Sequence, residues 1–170
     1  KLQYLLPVYT PADMPELAVE TVSSTLVDQV PSPVMRMSVR GAPPPTVTLT
    51  AYGYMAELAR QAMIRLAYDE EIFAELIVPT RLAPFDIDAL MKSLSRTGRL
   101  VAVEEGGRTL GWGAEILARV MEAGNSRTIS ACRVAARDLP VPAAPSLESA
   151  ILPQIEDILT AVRKVVKTNE

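Results

Sequence analysis

An α/β fold, built as a three-layer α/β/α sandwich around a mostly parallel, mixed sheet of about five strands, is what this sequence predicts. Two observations carry it. Short runs rich in β-branched residues, such as TVTLTAYG and FAELIV, alternate with segments whose apolar residues recur at helical spacing. Strands alternating with helices also imply βαβ crossovers, hence a mostly parallel sheet covered on both faces.

Thr46 to Gly53 reads as a buried strand closed by glycine. The next segment, YMAELARQAMIRLAYDEE, puts Met55, Leu58, Ala59, Ala62, Met63 and Leu66 on one helical face, with Glu57, Arg60, Gln61 and Arg65 on the other. FAELIV, Phe73 to Val78, is the next strand and PTRLAPFD the loop after it. Asp86 is placed to cap a helix whose stripe is Ile87, Leu90, Met91 and Leu94, and Gly98 is placed to end it. RLVAVEE is a third strand, WGAEILARVMEAG a third helix with Ile116, Leu117, Val120 and Met121 inward, and RTISACRVAA a fourth strand. Beyond the proline-rich DLPVPAAPS, LESAILPQIEDILTAVRKVVKTNE lines Ile155, Ile158, Leu159, Val162, Val165 and Val166 along one helical face. Its acidic residues lie early and its basic residues late, matching the helix dipole. Residues 1–45 are expected to be an N-terminal extension, proline-rich, with PELAVETVSSTLVDQ helical and SPVMRMSVR a strand, leaving 46–170 as the main domain.

Composition narrows the function. The chain has 170 residues, enough for one domain with a core, and it opens at Lys1, so it is expected to be a fragment of something longer. A net charge of −3 argues against nucleic acid or an anionic membrane as the main partner, and no apolar run is long enough for a membrane span. The absence of histidine removes Ser-His-Asp and Cys-His catalysis and every zinc site that needs imidazole. The single cysteine, Cys132, cannot form an internal disulfide; flanked by apolar residues and without a base motif, it reads as a small buried hydrophobe. The expected compartment is the cytoplasm.

One stretch, RLVAVEEGGRTLGWGAEI, offers two chemistries. Glu104 and Glu105 are adjacent in a strand, so their side chains leave on opposite faces and converge poorly for acid and base work. Gly111 and Gly113 stand in G-x-G register, but the third position of a dinucleotide fingerprint is Ile116, where glycine or alanine is needed. An anion- or nucleotide-binding turn at Gly111–Gly113 stays open as an alternative function. Trp112, the only tryptophan, is either an interface anchor or a core lid. Asp138, on a loop stiffened by prolines, is a candidate recognition residue. Trp112, Glu104, Glu105 and Asp138 are thus the candidate interface residues, and no catalytic, cofactor or metal residue is assigned.

Taken in order, VTLTAYGYM, LIVPTRLAPFD, SRTG, RLVAVEEGGRTLGWGAEI, CRVAARDLPVP and LESAILPQIEDILTAVRKV resemble the C-terminal domain of the transketolase superfamily over about Thr46 to Lys167. The set is most similar to the beta subunit of the decarboxylating component of pyruvate and branched-chain 2-oxo acid dehydrogenases. The resemblance implies a domain without catalytic residues that supports assembly, as a homodimer or as a heterotetramer with an alpha subunit. It also implies docking of the subunit-binding domain of the acyltransferase core near Asp138 and the C-terminal helix. Thiamine diphosphate and magnesium are implied for the parent enzyme, bound by other domains. The chain departs from the family pattern at Val78, Pro79 and Thr80, where Asp-Leu-Arg is common, and at Ala143, where an aromatic usually stands.

Overall fold

A computed structural model describes residues 10–27, 30–124 and 128–167. The chain forms β1 (Leu17–Val27), β2 (Val30–Val39), β3 (Val47–Ala51), α1 (Tyr54–Glu70), β4 (Ala74–Pro79), α2 (Asp88–Thr97), β5 (Arg99–Gly107), α3 (Trp112–Glu122), β6 (Ser130–Ala136), α4 (Pro145–Ile151) and α5 (Ile155–Lys167). One six-stranded sheet has the order β1-β2-β4-β3-β5-β6. β4, β3, β5 and β6 run parallel, and β2 joins antiparallel to β4.

The connections explain the layers. From β3 the chain moves one way across the sheet to β4, then back past β3 to β5 and on to β6. Right-handed crossovers place helices for opposite directions on opposite faces. Accordingly α1 packs with α5 over Leu49, Leu76, Val101 and Val103, while α2 and α3 cover Ile77 and Leu100 on the other side. All five residues of β3 are buried, as its unbroken apolar and β-branched sequence requires.

Helix periodicity located the core well. The six α1 residues placed inward by spacing are the six that the helix buries, and Gly98 adopts the left-handed conformation (φ 62°) that ends α2. Asp86 accepts the N–H of Asp88 at 3.0 Å, so it satisfies a free donor of the first turn as expected.

Four expectations need correction. The segment expected to be a helix at 15–29 is β1, paired with β2 from Leu17↔Val39 onward. Its Val19, Thr21, Val22 and Thr25 favour extended backbone, and pairing along β2 decides the outcome. The sheet therefore has six strands instead of about five. Met121 is 74% exposed, because α3 turns only a narrow stripe, Gly113, Ile116 and Val120, fully inward. The C-terminal helix is two helices: Pro153 holds Leu152 extended (φ −79°, ψ 146°), and the chain restarts as α5 with Gln154 N–H on the Asp157 carboxylate at 2.9 Å.

A polar seam fastens α2 to the sheet. Thr48 shares hydrogen bonds with Ser93 and Thr97 at 2.6 and 2.7 Å. Ser93 donates to Glu75 at 2.8 Å, and Arg96 donates to both Glu75 oxygens at 2.6 and 2.9 Å. Removing the buried carboxylate with Glu75→Ala takes the acceptor from the Ser93 hydroxyl, which keeps only its bond with Thr48, whereas half-exposed Arg96 can turn to water. The expected loss is about 2 kcal/mol, measured by urea unfolding.

Candidate functional site

The carboxyl ends of the parallel strands gather the residues that sequence reasoning singled out. Here lie Glu104 and Glu105 near the end of β5, the turn 108–111 after it and the loop 137–144 after β6, with Tyr52 after β3 joining them. β3 and β5 are neighbours whose connections leave in opposite directions. A crevice at such a point is where open α/β sheets usually bind ligands.

In this chain the crevice is filled from within. The Glu104 side chain is fully buried, seated under the start of α3. A Cβ added at Gly111 would overlap the Glu104 carboxylate and the Gly107 carbonyl, and one at Gly113 would come within 2.7 Å of Glu104 Oε1. The two glycines thus make room for the chain's own carboxylate. That removes the ground for reading them as a nucleotide cradle.

Burial pushes the Glu104 carboxyl above the ordinary range; the Gly113 N–H, Arg133 and the Trp112 N–H oppose that shift. These amides face the carboxylate, yet neither oxygen makes a hydrogen bond of full geometry among the described residues. Glu105 is half-buried. A carboxylate sealed in the interior does not reach a substrate to share acid and base work with its neighbour.

Trp112 is half-buried and meets Tyr52 edge-on at 5.0 Å and Phe85 at 5.9 Å between ring centroids. It closes the α2–α3 side of the core, its indole nitrogen buried and without a partner among the described residues. The Tyr52 hydroxyl is raised by burial, then by Glu104 and Glu105. Cys132 is partly buried against the core, and its thiol lies 3.9 Å from the Arg133 carbonyl.

Asp138 is exposed but not idle. It accepts the Thr109 N–H at 2.9 Å and the Thr109 hydroxyl at 2.8 Å, clasping the β5–α3 turn to the β6–α4 loop. The Thr109 N–H and then its hydroxyl hold the Asp138 carboxyl below the usual range. Next to this clasp Leu110 is 97% exposed at φ 57°, and Leu139 and Val141 are more than half exposed. Sequence reasoning missed Thr109 and Leu110. Nothing in R-T-L-G marks which residue must turn left-handed.

Two open grooves lie elsewhere. One of about 590 Å³ runs between β6 and the two C-terminal helices, rimmed by Arg108, Arg133, Arg137 and Lys164 and by Glu156 and Asp157. Another of about 340 Å³ lies beside Phe85 and Arg119. Neither is lined by Glu104 or Trp112. Among the described residues no group of acidic or cysteine side chains could hold a metal ion, and no helix is long and apolar enough to cross a membrane.

The sequence matches the family model for the C-terminal domain of transketolase over residues 36–158. Among curated relatives, the pyruvate dehydrogenase E1 component subunit beta of Rickettsia bellii is 36% identical over 121 residues, 71% of this chain and 37% of that protein. The mitochondrial subunit beta of Rattus norvegicus is 41% identical over 99 residues, covering 57% and 28% respectively. The mitochondrial subunit beta-1 of Arabidopsis thaliana is 40% identical over 119 residues, covering 69% and 32%. The chain thus spans only about a third of the length of these relatives. A solved structure described as a split gene transketolase, inactive beta4 tetramer, aligns with TM-score 0.65 at 27% identity, over 74% of this chain and 41% of that one.

The raised Glu104 carboxyl fixes a sign. A group that binds its proton more tightly when folded adds stability below its unfolded pKa, and loses that contribution as pH rises towards the folded pKa. Glu104→Gln removes this titration. Melting temperatures of native protein minus Glu104→Gln are therefore expected to become more positive as pH falls from about 7.5 towards the ordinary carboxyl range. Taking the difference cancels the opposite trend of Glu70 and Asp138, whose carboxyls are lowered.

Proposed function

The chain belongs to the transketolase C-terminal domain family, and from that premise we propose that it is the assembly and docking domain of the beta subunit of a pyruvate-type 2-oxo acid dehydrogenase. The named relatives support the parent activity, and thiamine diphosphate with magnesium would be bound by other parts of the parent enzyme. This domain would carry subunit contacts, in a homodimer or in a heterotetramer with an alpha subunit, and would receive the acyltransferase's subunit-binding domain.

The observation that carries the docking part is Leu110. A leucine held outward at φ 57°, 97% exposed, combines a conformational cost of about 1 kcal/mol with the exposure of an apolar side chain. Neither is explained by folding alone. Leu110 adjoins Thr109, which is clasped to Asp138, and Leu139 and Val141 on the Asp138 loop are exposed too, so the two loops offer apolar side chains and a fixed negative charge. Such a pair suits a partner that presents an apolar pocket flanked by arginine or lysine. The alternative, a separate anion- or nucleotide-binding domain, loses its basis because Glu104 occupies the Gly111–Gly113 turn.

Leu110→Gly separates folding from docking, since glycine accepts the left-handed backbone without strain. The variant should unfold at the same or higher temperature than the native chain, yet bind the acyltransferase's subunit-binding domain about tenfold more weakly by calorimetry. Asp138→Asn should weaken the same binding. Failure of the native chain to bind the module, or unchanged affinity in Leu110→Gly, would reject the docking role.

A further inference from the structure

Docking at Leu110 and Asp138 leaves Glu104 unexplained. Its side chain is fully buried, neither oxygen has a full hydrogen bond, and the indole nitrogen of Trp112 and Nη1 of Arg133 are buried and unpaired around the same turn. Burying a carboxylate in this way is costly unless the charge is used. Exogenous anions bind at helix N-termini because free amide N–H groups and the helix dipole face them, and glycines let them approach. α3 starts in that way: the amides of Trp112 and Gly113 face Glu104, Arg133 supplies positive charge, and the missing Cβ atoms at Gly111 and Gly113 leave the space that the carboxylate fills.

The same turn carries the docking loop. Gly107 sits opposite the clasp, with Asp138 Oδ1 at 3.1 Å from where its Cβ would be. Thr109 then donates twice to Asp138, and Leu110 takes its left-handed conformation immediately before Gly111. Any movement of Gly111 is passed directly to Leu110 and Thr109. Tyr52, just after β3, also feels the Glu104 charge, and it does not replace the contact of the carboxylate with the α3 amides.

We propose that Glu104 is a positioning residue: an internal anionic ligand of the α3 N-terminus that holds the 106–111 turn and, through it, the Thr109–Asp138 clasp and the outward Leu110. The glycines and the carboxylate form one unit, an anion site whose occupant is supplied by the strand beneath it. Only the consequence for a partner rests on the docking role; the clasp itself is measurable on the chain alone.

Amide hydrogen exchange at Thr109 reads the clasp, with core amides of α1 and α5 reporting global stability. In Glu104→Ala, Thr109 is expected to exchange about tenfold faster while the core amides hold. Formate at about 100 mM, a carboxylate small enough for the vacated space, is expected to restore Thr109 protection, and chloride at the same ionic strength to leave it lost. Unchanged Thr109 exchange in the folded variant overturns the proposal, and so does failure of formate to restore it. If Glu104→Ala does not fold, Gly113→Ala tests the same contact from the other side. Its methyl lies 2.7 Å from Glu104 Oε1 and must displace the carboxylate. Thr109 must then loosen, and an unaffected Thr109 overturns the proposal. Unchanged partner binding with Thr109 responding as expected would count against docking alone.

Discussion

Strands β3 and β5 are buried on both faces, and much of the molecule follows from that constraint. A strand without a solvent face cannot tolerate an uncovered side, so helices are required above and below it. Right-handed crossovers then divide the helices by direction of travel, α1 to one face and α2 and α3 to the other, with α5 completing the first layer. The loops after β3, β5 and β6 are thereby collected at one edge of the sheet. The candidate site is a consequence of how the core is covered.

At that edge the fold reaches the geometry in which related architectures bind phosphates, and then closes it. Trp112 stacks edge-on between Tyr52 and Phe85, and Glu104 occupies the glycine turn. A crevice filled by the chain's own aromatic and acidic side chains serves as a platform more readily than as a pocket. The outer surface there bears a clasped carboxylate, an exposed leucine in a left-handed conformation, and exposed apolar residues on the proline-rich loop.

Legibility varied with the range of the forces involved. The α1 stripe and the burial of β3 were readable because helical and strand periods are local properties of the backbone. Gly98 and Asp86 were readable for the same reason, as caps act within a turn. β1 was misread because valine and threonine at mixed spacing fit either state, and only the ladder to β2 chose between them. The buried hydroxyls of Ser93 and Thr97 were hidden too, since their partners Thr48 and Glu75 lie far away in sequence.

The sequence by itself determined the class of fold, the inward residues of the regular elements and the family set of motifs, because each depends on neighbours a few residues apart. Tertiary structure alone decided the use of Gly111 and Gly113. Their spacing suits a phosphate, a carboxylate or a plain turn equally well, and the choice was made by Glu104 arriving from β5 into the space beneath α3. It also decided that Asp138 is fastened to Thr109 and that Leu110 faces outward. Those outcomes depend on distances between separate loops, which the twist of the sheet and the packing of α3 set.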